Sequence, residues 1–92
     1  MRLLHIGYGM WLIADRVKAV LHPKGAPMRN LRNEKYAQHK LIDIRRGKPC
    51  QAMILCNDDI LYLSPLTCQE IQQNLVAVGE EGDTYDAADD TL

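Results

Sequence analysis

Two apolar runs, AMILC at 52–56 and ILYL at 60–63, are separated by only Asn57, Asp58 and Asp59. Neither run alternates. A strand with one face in water carries a polar residue at every second position, whereas a strand with no polar position needs cover on both faces. The Asn-Asp-Asp break is turn chemistry, because short polar side chains bond their own backbone there. A fold for this chain must therefore hold two neighbouring strands between two layers.

The cover has to come from short elements. RLLHI and MWLIA flank Gly7-Tyr8-Gly9 and read as two strands around a bend. The glycines are no dinucleotide fingerprint, since Leu12 stands where that motif needs a third glycine. VKAVLH reads as a third strand. PKGAP at 23–27 is a loop whose Pro27 suits the first turn of a helix, and MRNLRNEKYAQHK is that helix. Met28, Leu31 and the stem of Lys35 share its inner side. Arg29, Arg32, Tyr36 and Lys40 share the other, as a solvated face or as a nucleic-acid surface. LIDI and QAMILC are expected to pair as a hairpin across DIRRGKPC, residues 43–50. After ILYLS, Thr67 and Glu70 form a capping box, and Ile71 and Leu75 give a second helix its apolar face.

The order is thus β-β-β-α-β-β-β-α over residues 1–75, an α+β fold on a small mixed β-sheet. With no Phe and a single Trp, its core must be aliphatic. Two short helices cannot cover both faces of one sheet holding all these strands, and so small a domain buries little surface by itself. Self-association is expected to supply the missing cover. Residues 76–92 are acidic and poor in large apolar groups, and are expected to form a disordered tail.

Little in the chain suits catalysis. Asp58 and Asp59 read as turn formers, Ser64 has no evident histidine partner, and His5 reads as structural. Cys50, Cys56 and Cys68 fit no zinc spacing, and His5, His22 and His39 are scattered. They read as thiols of a reducing compartment. No enzyme activity, metal, cofactor or small-molecule ligand is expected. Arg2 and the apolar stretch after it superficially resemble a signal peptide, but glycines interrupt it and no small-x-small cleavage site follows. No run is long enough to span a membrane. The expectation is a cytoplasmic protein.

Charge is more informative. All eleven Lys and Arg lie at or before Lys48. Residues 1–75 hold six acids against them, a net of +5, while residues 76–92 hold six acids and no base, a net of −6. A basic body of this kind points to a polyanionic partner, since phosphate binding needs cations displayed on one surface. Arg45, Arg46 and Lys48 crowd a single short turn that needs, for its geometry, only Gly47 or Pro49.

Four motifs go further. HIGYG, ADRVKAVLHPKGAPMR, LIDIRRGK and ILYLS, in this order over residues 3–75, resemble the RemA family of bacterial extracellular-matrix regulators. The resemblance implies a small α/β protein forming a ring-shaped homo-oligomer. It further implies binding of double-stranded DNA in the nucleoid through basic residues around the ring, and activation of matrix (biofilm) genes. Residue by residue, Arg16 matches the arginine before the third strand, and Arg29 a basic position after Ala-Pro. Gly47 and Lys48 match the glycine and first arginine of a Gly-Arg-Arg turn. Pro49 replaces the second arginine and Gln51 another cation, while Arg45 and Arg46 stand where the family has Thr-Tyr. The expected DNA contacts are therefore Arg16, Arg29, Arg45, Arg46 and Lys48. Pro49 and the acidic tail also allow a second reading, a structural or protein-interaction ring that has lost DNA binding.

Overall fold

The computed structural model describes residues 1–78, so the expected acidic tail lies, beyond Val78, outside the described residues. The fold is α+β, with seven strands in two sheets and two helices. In chain order these are β1 (Arg2–Gly7), β2 (Met10–Ile13), a 3-10 turn (Ala14–Arg16), β3 (Val17–Leu21), α1 (Ala26–Ala37), β4 (Leu41–Asp43), β5 (Ala52–Cys56), β6 (Leu61–Ser64), α2 (Cys68–Gln73) and β7 (Leu75–Ala77). One sheet has the order β2-β1-β7, the other β3-β5-β6-β4.

The two apolar runs are β5 and β6, antiparallel partners with Met53 opposite Leu63 and Ile54 opposite Tyr62. Their side chains divide by parity, as the pleat dictates. Ala52, Ile54 and Cys56 point into a core shared with Leu4, Ile6 and Ile71, so the first sheet and α2 cover that face. Met53, Leu61 and Leu63 point into a second core against Met28 and Leu31 of α1. Ile54 and Leu61 are completely buried. Burying such a side chain stabilises the fold by about 1.5–3 kcal/mol.

This arrangement corrects two expectations. The strands form two sheets, not one, and the chain covers both faces of β5–β6 itself. The faces of β5 and β6 therefore give no argument for self-association. Nor do LIDI and QAMILC form a hairpin. β4 runs parallel to β6, with Leu41 opposite Leu61, while β5 lies between β3 and β6. Residues 44–51 thus cross the end of β6 instead of turning between neighbours. Parallel strands need such a crossover, and no local signal in the segment distinguishes it from a hairpin turn.

The chain also continues as strand past residue 75, where the sequence reading ended the domain. β7 pairs antiparallel with β1, Val76 opposite Leu3. The strand is short and its three residues are exposed, so it carries no apolar alternation to read. Other local signals match their elements. Pro27 sits in the first turn of α1. Thr67 Oγ1 accepts from the Glu70 N–H at 3.0 Å, and Glu70 Oε1 accepts from the Thr67 N–H at 2.8 Å, a complete capping box. Lys35 is buried, its ammonium 3.6 Å from Asp59 in the β5–β6 turn, with Lys40 at 3.8 Å on the other carboxylate oxygen.

Ser64 joins the sheets. Completely buried at the end of β6, its hydroxyl donates to the Ile6 carbonyl of β1 at 2.6 Å and accepts from the Leu66 N–H at 3.0 Å. Ser64→Ala should leave both partners unsatisfied and lower unfolding free energy by about 1–3 kcal/mol. A denaturant titration with an unchanged midpoint and slope would count against this joint.

Candidate nucleic-acid interface

The basic segment is fixed at both ends to β6. The Ile44 N–H donates to Leu63 O at 3.2 Å, and the Gln51 N–H to Ser64 O at 2.9 Å. Between these clamps Lys48 N–H bonds Arg45 O at 3.1 Å, closing a turn with Arg46 and Gly47 at its centre. Their φ angles are +53° and +82°, the pattern of a type I′ turn. The bend between β1 and β2 repeats it, with Tyr8 at +51° and Gly9 at +77°. In both turns the glycine is at home and the preceding residue is not, since left-handed backbone costs an ordinary residue roughly 1–2 kcal/mol.

The two turns meet. The Arg46 guanidinium carbon lies 4.5 Å from the centroid of the Tyr8 ring. Gly7 lets the bend pack closely on Pro65, because a β-carbon there would come within 3.1 Å of the Pro65 ring. His5 steadies the bend, its Nε2 accepting from the Gly9 N–H at 3.1 Å and its ring lying 4.9 Å from that of Trp11.

Arg45, although adjacent, is occupied. Its Nε and backbone N–H both donate to Asp43 Oδ1 at 2.9 Å, and its Nη2 donates to Oδ2 at 2.7 Å. The Arg45 side-chain bonds are the chief reason that the Asp43 carboxyl is held at about 2, against an ordinary 3.8, and in return the Arg45 guanidinium is pushed up. Arg32 adds to the field at Asp43, and with Tyr36 and Arg45 it lines a hollow of about 400 Å³. The outer stripe of α1 is thus divided: Arg32 and Tyr36 border this hollow, while Lys40 is tied to Asp59.

The structure does not bring all five expected contacts together. Arg45, Arg46 and Lys48 share one turn. Arg16 ends the 3-10 turn after β2, beside Trp11, Ile13, Asp58 and Tyr62. The whole of β2, about 13 Å, separates it from the Tyr8 bend. Arg29 stands exposed in the first turn of α1, in the layer on the other side of β5–β6. Two participants escaped the sequence reading. Asp43 was legible in principle, since a carboxylate two residues before an arginine at a turn invites the bond it makes. Tyr8 was read only as part of a bend; an aromatic residue between two glycines, where Asn or Asp would serve the turn better, is the signal.

With this geometry in view, comparison with known proteins is decisive for the family. The family model of extracellular matrix regulatory protein A-like (RemA-like) proteins matches residues 3–75. The chain belongs to the RemA-like family. A relative from Syntrophobacter fumaroxidans named "Putative regulatory protein" is 37% identical over 78 residues, 85% of this chain and 83% of that one. One of the same name from Oleidesulfovibrio alaskensis is 33% identical over 75 residues, 82% and 89% of the two chains. The names given to these RemA-like relatives are those of regulators, not of enzymes. The Cys56 thiol is pushed up by burial, and Cys50 Sγ–H donates to Ala52 O at 3.4 Å. No helix among the described residues is long and apolar enough to cross a membrane.

The lowered Asp43 carboxyl has a measurable consequence. A depressed folded-state value means stability that is present above the unfolded value near 3.8 and lost as pH falls through about 2. The Asp43 side chain is 47% exposed, so the effect is modest. Asp43→Asn should flatten the acid limb of stability against pH in that window. An acid limb identical to that of the parent protein would remove the pair from the account.

Proposed function

We propose that this RemA-like protein is an oligomeric DNA-binding regulator of transcription, as its family resemblance implies, with genes of matrix production as the expected targets. The observation that carries the reading is the Arg45–Lys48 turn. It is clamped at both ends to the central sheet, and it shows Arg46 and Lys48 to solvent with no acidic partner among the described residues. Positively charged groups on rigid backbone are what phosphate binding requires, because each neutralised phosphate releases counterions and each immobile contact loses little entropy.

The five proposed contacts contribute unequally. Arg46 and Lys48 are the main pair. Arg45 is held by Asp43, so its charge is already answered and its role is to shape the turn. Arg16 lies about one strand length away, and Arg29 in another layer. A single copy thus offers separate basic sites, and several copies side by side would present them repeatedly along a duplex. Support for assembly comes from the outer face of the first sheet, where Trp11, Ile13 and Val76 are 46%, 38% and 41% exposed. The edges of β2 and β7, unpaired among the described residues, flank them. Apolar side chains beside open strand edges favour protein–protein contact.

The second reading, an assembly without DNA binding, draws on Asp43 as well as on Pro49. Between them they remove one cation by pairing and one by replacement.

Titration of a mixed-sequence duplex over a salt series separates the two. Affinity should fall with salt at a log–log slope of about −0.9 for each phosphate contact. Arg46→Ala and Lys48→Ala should each lessen that slope by about 0.9, and Arg45→Ala by less. Light scattering should show an oligomer with and without the duplex. An oligomer that ignores DNA at low salt would establish the second reading, and a monomer would remove both.

A further inference from the structure

We propose that Tyr8 is itself a nucleic-acid contact: its ring lies against the sugar–phosphate backbone and its hydroxyl donates to a phosphate, between phosphates held by Arg46 and Lys48. The proposal rests on the DNA-binding reading above and adds to it an uncharged residue.

Three observations on separate grounds converge on this residue. The first is conformational. Tyr8 and Arg46 occupy the same position in two turns of the same pattern, each in left-handed backbone at φ near +50°. Gly, Asn and Asp are the residues this position favours. Bulky side chains held there cluster at functional sites, where the side chain rather than the turn is needed.

The second is placement. Two hollows open on either side of the Gly7–Tyr8 bend. One, of about 450 Å³, is bordered by Tyr8, Lys48, Pro49 and Pro65. The other, of about 290 Å³, is bordered by Tyr8, Asp43, Ile44 and Arg46. Each hollow therefore has one cation with no ion pair among the described residues, beside a carboxylate already bonded within the fold, Glu70 to the Thr67 N–H in the first and Asp43 to Arg45 in the second, and Tyr8 borders both. The third is exposure. Tyr8 as a whole is 41% exposed although the arginine lies over its ring. Stacking fixes the guanidinium plane while leaving its N–H edge free for a phosphate oxygen. A backbone reaching both cations would meet Tyr8, which borders both hollows, and tyrosine is among the side chains that bond phosphate and sugar.

The test uses the full chain and a mixed-sequence duplex DNA. Tyr8→Asn keeps a residue that tolerates the turn, and far-UV circular dichroism with a thermal melt checks that the fold survives. Affinity should fall about tenfold, the combined loss of the ring contact and of a hydrogen bond to a charged group, and the salt slope should stay unchanged because no charge is removed. Tyr8→Phe should fall in between, keeping the ring and losing the hydroxyl. Affinity of Tyr8→Asn within twofold of the parent protein's would overturn the proposal while leaving the DNA-binding reading intact. A smaller oligomer with unchanged DNA affinity would also overturn it, making the ring a contact between copies. Failure of the parent protein to bind the duplex at low salt would overturn both.

Discussion

The rest of the structure depends on the double burial of β5 and β6. Two adjacent strands with no alternation of polar and apolar side chains cannot be left half in water, and pleating sends their residues alternately into two separate cores. One core requires the first sheet and α2; the other requires α1. The position of nearly every other element follows. β1 and β2 must lie flat on one face, α1 must cross the other, and the connections must pass around the ends of the strands. The basic turn arises at one such end, where the chain leaves β4 and has to pass β6 to become β5. It is held by a bond to β6 at each of its ends.

How far the sequence revealed this depended on the range of each interaction. Pro27 marked the start of α1, Thr67 with Glu70 that of α2, and Met28, Leu31 and Lys35 the inner side of a helix. All of these act within a few residues. Pairing is a different matter. Nothing in LID indicates that it will lie parallel to LYLS instead of antiparallel to AMILC, because both choices satisfy the same side chains. The LVA strand at 75–77 was invisible for a related reason: its edge position leaves all three residues exposed, so burial imposed no pattern. The site divides similarly. The cations themselves were evident by composition, but Asp43 capturing Arg45 and Tyr8 meeting Arg46 are contacts made only once the crossover is in place.

Membership of the RemA-like family gives the basic turn its context, and the structure qualifies it. Counting cations in DIRRGKPC overstates the charge on offer. One of the three is committed to an aspartate, and a proline stands where the family's second arginine would be. What remains is a smaller number of cations on a better-defined scaffold, with an aromatic ring set among them. Such a surface depends more on placement than on total charge.

The position of β4 has a dynamic consequence. It is a three-residue strand with a single neighbour in its sheet, whereas β5 is bonded on both sides. Local opening of a native protein begins where fewest bonds must break. Amide protons of β4 should therefore exchange with solvent well before those of β5, and a reversed order would show that the edge is held by something else. Because β4 runs directly into the turn, each opening also releases one of that turn's anchors. The same strand that positions the arginines is thus the part of the sheet best able to let them move.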